Sequence, residues 1–305
     1  MNINMLRDAD NDPGFYAAAC AADPNVVNWA GTGVYVSVDG GTTYAVGFNV
    51  TAEATIGRTS DALDDFAGGN VRDELSSVNV SLSHGTLSST SNAGLLAGAN
   101  MAVIGDEIVY FRDATLEDDG TYTLRGFLRG RRGSEYAMGE HAIGDRFILV
   151  DPTKFVRVAQ STADIGIPKL YKAVTNGMTL ASATAQEFTN EGTGLKPYAC
   201  VHLGGGRDAS NNATLKWVRR NRISGEWRSA VDVPQSEASE AYEVEILDGA
   251  DGDVLRTITG LTSPTTTYSA ANQISDGLTP GDPIYFRVYQ CSAVVGRGHA
   301  ADGSI

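Results

Sequence analysis

Residues 213–219, ATLKWVR, read as a β-strand carrying a tryptophan of the kind strands bury, and Trp217 anchors a core there. Around it lie Tyr198–Leu203, Ala241–Leu247, Val254–Thr259, Thr265–Tyr268 and Pro283–Cys291, short segments separated by turn residues. About seven short strands in about 100 residues, with a tryptophan on the second, is the pattern of a Greek-key β-sandwich. A sandwich over residues 195–305 is the expectation.

Upstream the same grammar continues. Gly33–Val38, Thr42–Val46, Ser77–Leu82, Ala102–Phe111 and Thr121–Leu128 read as strands, and the alternation in VYVSV and VNVSL puts one face on a core and the other in water. Asp39-Gly40-Gly41 and Asp118-Asp119-Gly120 are hairpin turns, so antiparallel pairing is expected. Residues 58–75 and 84–99 lack alternation and are rich in Ser, Gly, Asn and Asp; loops of that length are expected to touch a partner or to move freely. Residues 153–194 hold one strand candidate, Lys169–Val174, and read as a bridging segment between an N-terminal β-domain, 1–152, and the sandwich. The fold class is therefore mainly β and multi-domain.

Composition agrees with a folded chain: of 305 residues, 42% are hydrophobic and 20% charged, outside the range where chains stay disordered. Most of the 35 glycines fall singly between Val, Thr, Tyr and Ile segments, as turns between strands do. The net charge of −14 disfavours nucleic acid and anionic lipid as partners. No apolar stretch approaches the ~18 residues of a membrane helix, and no signal-peptide pattern opens the sequence, so synthesis in a cytoplasm and no stable membrane insertion are expected. Cys20, Cys200 and Cys291 are an odd, widely spaced set, expected to be free thiols.

Candidate chemistry is sparse. Asp8, Asp10 and Asp12 imitate the start of a calcium loop, but Ala19 stands where the closing carboxylate belongs and Pro13 breaks the turn. Asp248, Asp251 and Asp253 sit where a hairpin tip explains them. No metal and no cofactor is expected. His84 lies beside Ser83 and Ser88, but neither it nor His141, His202 or His299 stands in a catalytic motif, and no carboxylate pair is nominated for glycoside cleavage, so no enzyme activity is expected. The basic residues Arg129, Arg131 and Arg132, with Arg220 and Arg222, are expected to pair with carboxylates within the chain or across a subunit interface; strand alternation would put Arg220 and Arg222 on one face. Trp29, Tyr35, Tyr44, Trp227 and Tyr268 could stack on sugars, and Trp227, in the polar SGEWRS segment, is the candidate glycan contact.

Several segments together resemble a known family: GFYAAACAADPNVVNWAGTGVYVSVDGGTTY (14–44), LSHGTLSS (82–89), GDEIVYFRDATLEDDGTYTLRGFLRGRRGSEY (105–136), KPYACVHLGG (196–205), WVRRNRISGEW (217–227), DVPQSEASEAYEVEILDG (232–249) and FRVYQCSAVVGRG (286–298). They are similar to the C-terminal half of the large tail-hub proteins of gene transfer agents and related siphophages. The resemblance implies a place in the distal tail, a threefold arrangement and a terminal fibronectin-type-III-like domain. It also implies two departures: the family's long N-terminal half, with its barrel-like domain, is expected to be lacking, and Ile284 stands where such a sandwich often carries its corner tyrosine, with Tyr285 pointing to the opposite face.

Three function classes follow. The first is a structural component of a bacteriophage or phage-like tail tip, baseplate, hub or fiber base, homotrimeric and bound to other tail proteins, located in the virion. The second is a receptor- or carbohydrate-binding adhesin of that tip, meeting a host surface receptor or glycan. The third, a secreted polysaccharide-degrading enzyme, has no nominated carboxylate pair.

Overall fold

The computed structural model describes residues 1–23, 26, 28–225 and 232–305. The chain forms two units: Met1–Leu6 with Asp12–Gly194, and Arg7–Asn11 with Leu195–Ile305. Both are mainly β.

In the first unit the strands are β1 (Phe15–Ala17), β2 (Thr32–Ser37), β3 (Ala45–Val50), β4 (Ile56–Thr59), β5 (Asp73–His84), β6 (Met101–Ile104), β7 (Glu107–Leu116), β8 (Tyr122–Leu128), β9 (Arg146–Leu149), β10 (Val156–Val158), β11 (Pro168–Thr175) and β12 (Gln186–Thr189), with a short helix, α1 (Asn92–Leu96), between β5 and β6. Six of them close an antiparallel barrel in the order β4-β5-β8-β7-β6-β9. Closure leaves no unpaired edge in this part of the molecule. The strand pattern of residues 1–152 predicts antiparallel pairing but not this closure.

Alternation explains the barrel core. Val78 and Val80 of β5, Ala102 and Ile104 of β6, and Val109 and Phe111 of β7 face inward with Phe147 of β9. In β8 the inward set passes from Tyr122 and Leu124 to Phe127. That change of phase falls at Gly126, whose φ of +70° side chains rarely adopt. The opposite faces of β6 and β7 are covered as well: Val103 and Ile108 pack under Ile3, Leu6 and Tyr16. Burial on both faces makes 101–111 a nearly unbroken apolar run, which reads as one strand. It is two, because Gly105 and Asp106 form a two-residue turn that pairs Ile104 with Glu107.

Residues 153–194 are not a separate bridge. β10 pairs with β1, and β11 lies between β12 and β2 in a sheet ordered β12-β11-β2-β3, so the segment completes sheets begun near the N-terminus. Nor are 58–75 and 84–99 free excursions. They include β4 residues, the start of β5 and α1, and they bury Leu63, Leu87 and Leu95. Ser91 caps α1 by accepting from the Gly94 amide.

The second unit contains β13 (Val201–Arg207), β14 (Ala213–Val218), β15 (Tyr242–Leu247), β16 (Val254–Leu261), β17 (Thr265–Tyr268), a helix, α2 (Ala270–Ser275), β18 (Tyr285–Ser292) and β19 (Gly296–Ser304). Its sheets are β13-β14-β17 and β16-β15-β18-β19, a three-plus-four antiparallel sandwich of the fibronectin type III kind. Ala213, Leu215 and Trp217 alternate inward from β14, and Val244, Ile246, Phe286 and Val288 meet them from the other sheet. Trp217 is 3% exposed and packs edge-on against Tyr242 at a centroid distance of 5.3 Å.

Ile284 is buried in this core, so the corner position is apolar, while Tyr285 is only partly buried. A different tyrosine ties the crossing between the sheets: Tyr268, at the end of β17, donates to Asp276 Oδ2 at 2.7 Å, and Asp276 also holds Arg256. One sheet is thereby linked through the loop after α2 to β16 of the other.

Candidate functional site

One end of the barrel is closed by charge. Glu107 stands two residues before the inward-facing Val109, and Arg129 two residues after the inward-facing Phe127, so alternation aims both into the barrel. Arg129 donates through Nε to Glu107 Oε1 at 2.9 Å and through Nη2 to Oε2 at 2.9 Å. Its Nη1 reaches Asp73 Oδ2 at 3.1 Å and the Asp64 carbonyl at 2.9 Å. The Gly130 amide adds a bond to Glu107 Oε1 at 2.6 Å. Gly130 has φ +56°, and a Cβ there would stand 2.8 Å from Glu135 Cγ, so this close approach requires glycine.

His141 completes the plug. Its Nε2 lies 2.7 Å from Glu107 Oε2 and its Nδ1 3.0 Å from Asp145 Oδ2. With a carboxylate at each ring nitrogen, the geometry suits the doubly protonated imidazolium. Burial alone would lower the His141 pKa, but the bonds to Glu107 and Asp145 outweigh it and hold the pKa above the ordinary histidine value. In the same way burial would raise Glu107 and Asp73, yet the donors around each hold it below the usual carboxylate range. Both Glu107 oxygens are occupied by donors, so the carboxylate is built as an anchor for three elements of the barrel end.

A cavity of about 470 Å³ opens beside the plug, lined in part by Arg58, Asp106, Tyr136, Glu140, Asp145 and Arg146. Arg58 and Arg146 are direct cross-strand partners on β4 and β9. A second recess, about 230 Å³, is walled by aromatic rings of the other sheets: Phe15 packs against Phe48, Tyr171 and Phe188 at centroid distances of 6.2, 6.0 and 4.8 Å.

The residues singled out from sequence fall in different places. Arg129 is corrected from an interface residue to a buried one, because its side chain exposes no surface and its partners are internal. Arg131 and Arg132 lie in the turn beyond it, Arg131 stacking over the Tyr110 ring at 5.9 Å. Arg220 and Arg222 do not share a strand face, since β14 ends at Val218. Arg220 stacks over Tyr198 at 5.3 Å, and Arg222 is 5% exposed, paired with Glu237 at 2.9 Å. Trp227 lies outside the described residues. Tyr268 is fully buried and cannot meet a glycan; Trp29, Tyr35 and Tyr44 are partly buried, Tyr44 beneath Lys172. His84 faces the Ala54 carbonyl and Glu53, with no bond to Ser83 or Ser88.

Among the described residues no three His, Cys, Asp or Glu side chains converge as a metal set. Asp8 accepts from the Ser224 amide, Asp10 pairs with Arg7, and Asp12 accepts from Gly14 and Arg157. Asp248 accepts from the Asp253 amide across its turn. The three cysteines are free, Cys200 buried and the other two partly so. Among the described residues no helix is long and apolar enough to cross a membrane.

Residues 54–148 match the family model described as Rcc01698-like, C-terminal. The match runs from just before β4 to Ile148 of β9, and so covers the barrel with its charged plug. No curated protein matches the chain. Among solved structures, the rat CD45 extracellular region, domains d3-d4, is similar over 46% of this chain at 11% identity and a TM-score of 0.26; the chain spans 64% of that structure's length. The chicken CNTN1 FN1-FN3 domains are similar over 96% of this chain and 98% of their own, at 8% identity and a TM-score of 0.26.

Proposed function

We propose that this chain is a structural component of a bacteriophage or phage-like tail tip or baseplate, helping to assemble the hub or fiber base as a homotrimer beside other tail proteins, without catalysis. One observation carries the reading furthest. Val71, Leu75 and Leu96 are 62%, 91% and 73% exposed on segments 58–75 and 84–99, for which partner contact is one of the two readings the sequence offers. The segments are tied there: Arg72 donates to Asn92, Arg112 donates to Asn92 and to Glu74, and Leu96 lies one helical turn beyond Asn92. Aliphatic groups so exposed gain by being covered, at about 25 cal/mol per Å² of apolar surface. The nearby charges Arg72, Arg112, Glu74 and Asp113 cancel, so the net charge of −14 does not concentrate repulsion between two copies at this patch. Its occupant in this reading is a second copy of the chain.

Light scattering on the purified chain, alone and mixed with its genomic neighbours among tail proteins, tests the proposal. A trimer, or a stoichiometric complex with a neighbour, is the expected result. A monomer that ignores every neighbour would overturn it.

The aromatic recess around Phe15, Phe48, Tyr171 and Phe188 favours a second reading, an adhesin that meets a host surface glycan or receptor. Binding on a glycan array, abolished by Tyr171→Ala or by Trp227→Ala, would move the assignment there.

A further inference from the structure

We propose that the cavity at the barrel mouth is a binding site for a carboxylate-bearing saccharide, of which a hexuronic acid is the simplest member. The proposal goes beyond the assembly role, which needs no small ligand. Its first support is the arginine pair. Arg58 and Arg146 are opposite one another on β4 and β9, so their side chains leave the same face of the barrel wall. Like charges so placed repel, and an anion between them removes the repulsion. Asp106 answers Arg146 alone. Arg58 donates to the Gly144 carbonyl at 2.8 Å and has no carboxylate partner among the described residues.

The second support is an unused donor. Arg146 Nε is buried and lacks an acceptor, although its guanidinium end pairs with Asp106. A ligand carboxylate would supply that acceptor and reach Arg58 as well. The third is a set of acceptors in the same lining. Glu140 is exposed to the cavity, and Asp145 commits Oδ2 to His141 and the Ala142 amide while Oδ1 is left over. Carboxylates only accept, so they suit ligand hydroxyls. Tyr136 lines the same cavity, and an aromatic ring suits the apolar face of a pyranose.

These features select among ligand classes. An apolar ligand would leave Arg146 Nε without an acceptor. A dianion such as phosphate would face Glu140 and Asp145 as well as the arginines. A single carboxylate joined to several hydroxyls satisfies donors and acceptors together, and about 470 Å³ lies within the size range of ligand pockets. The net charge of −14 opposes long-range encounter with an anion, so recognition depends on these short contacts.

The test is isothermal titration of the full chain with glucuronic acid, glucose and acetate. Saturable binding of glucuronic acid is expected, with acetate and glucose each at least about tenfold weaker, because each keeps only half of the contacts. Arg58→Gln is an exposed change, checked for folding by its thermal melt, and is expected to weaken glucuronic acid binding about tenfold or more. Three results would overturn the proposal: no saturable binding of glucuronic acid, binding unaltered in folded Arg58→Gln, or acetate binding as well as glucuronic acid. None of them bears on whether the chain assembles, which light scattering reads separately.

Discussion

Arg129 and Glu107 form a two-armed ion pair with no exposed surface on either side chain, and Asp73 and His141 complete its coordination. Removing one partner of such a pair strands a buried charge, a loss of about 3–5 kcal/mol. Arg129→Leu is therefore expected to destabilise the barrel by that amount in urea denaturation, with the sandwich transition unaltered. A loss under about 1 kcal/mol would mean that the plug is not what closes the barrel.

The two units should respond to pH in opposite senses. The folded His141 pKa lies above its unfolded value near 6.5, so its stabilisation is fully present below about pH 6.5 and is lost as pH rises through the folded value. His299, in the sandwich, is lowered to about 4 by burial and by Lys196 and Arg220. The unfolded chain then takes up a proton that the folded one refuses, and the sandwich weakens as pH falls from about 6.5 towards 4. Thermal melts from pH 8.5 to 4.5 are expected to show the alkaline loss abolished in His141→Gln and the acid loss reduced in His299→Gln. The same slopes in both variants as in the parent chain would refute the assignment.

Tyr268 stands in for the missing corner tyrosine. Tyr268→Phe removes its bond to Asp276 but leaves Asp276 paired with Arg256, so a cost of about 1–2 kcal/mol is expected in the sandwich. Ile284→Tyr should not recover that loss, because Ile284 is packed in the core and an added phenol ring overfills it. Recovery of full stability in the double variant would contradict this account of the crossing.

Leu75 is exposed for a reason that reaches back to the plug. Between the pairs Asp73 with Phe127 and Ser77 with Arg125, β5 carries three residues against one, and Asp73 Oδ1 holds the bulge by accepting from the Leu75 and Ser76 amides. Leu75→Asp should then leave the melt within about 0.5 kcal/mol of the parent while breaking the proposed oligomer, as read by light scattering. An intact oligomer would remove the patch from the interface.

The sandwich was legible because its strands alternate and turn often. β19, GRGHAADGS, was not: it has little apolar content and is held by its ladder to β18 at the sheet edge. β4 and β9 are four residues each, too short to stand out, and gain their meaning only when the barrel closes on them. The plug was hidden because charged residues ordinarily face water, so LRGRRG reads as surface. A carboxylate, Glu107, inside an otherwise apolar hairpin was the available sign that a buried cation must answer it. The arginine pair of the cavity needed the register of β4 against β9, which no local pattern supplies.

The central claim, a place at the tail tip, is tested most directly by gold-labelled antibody against this chain on purified particles from its source, viewed by electron microscopy. The account predicts gold confined to the distal end of the tail. Particles that carry no label while the chain accumulates free in the lysate would contradict it.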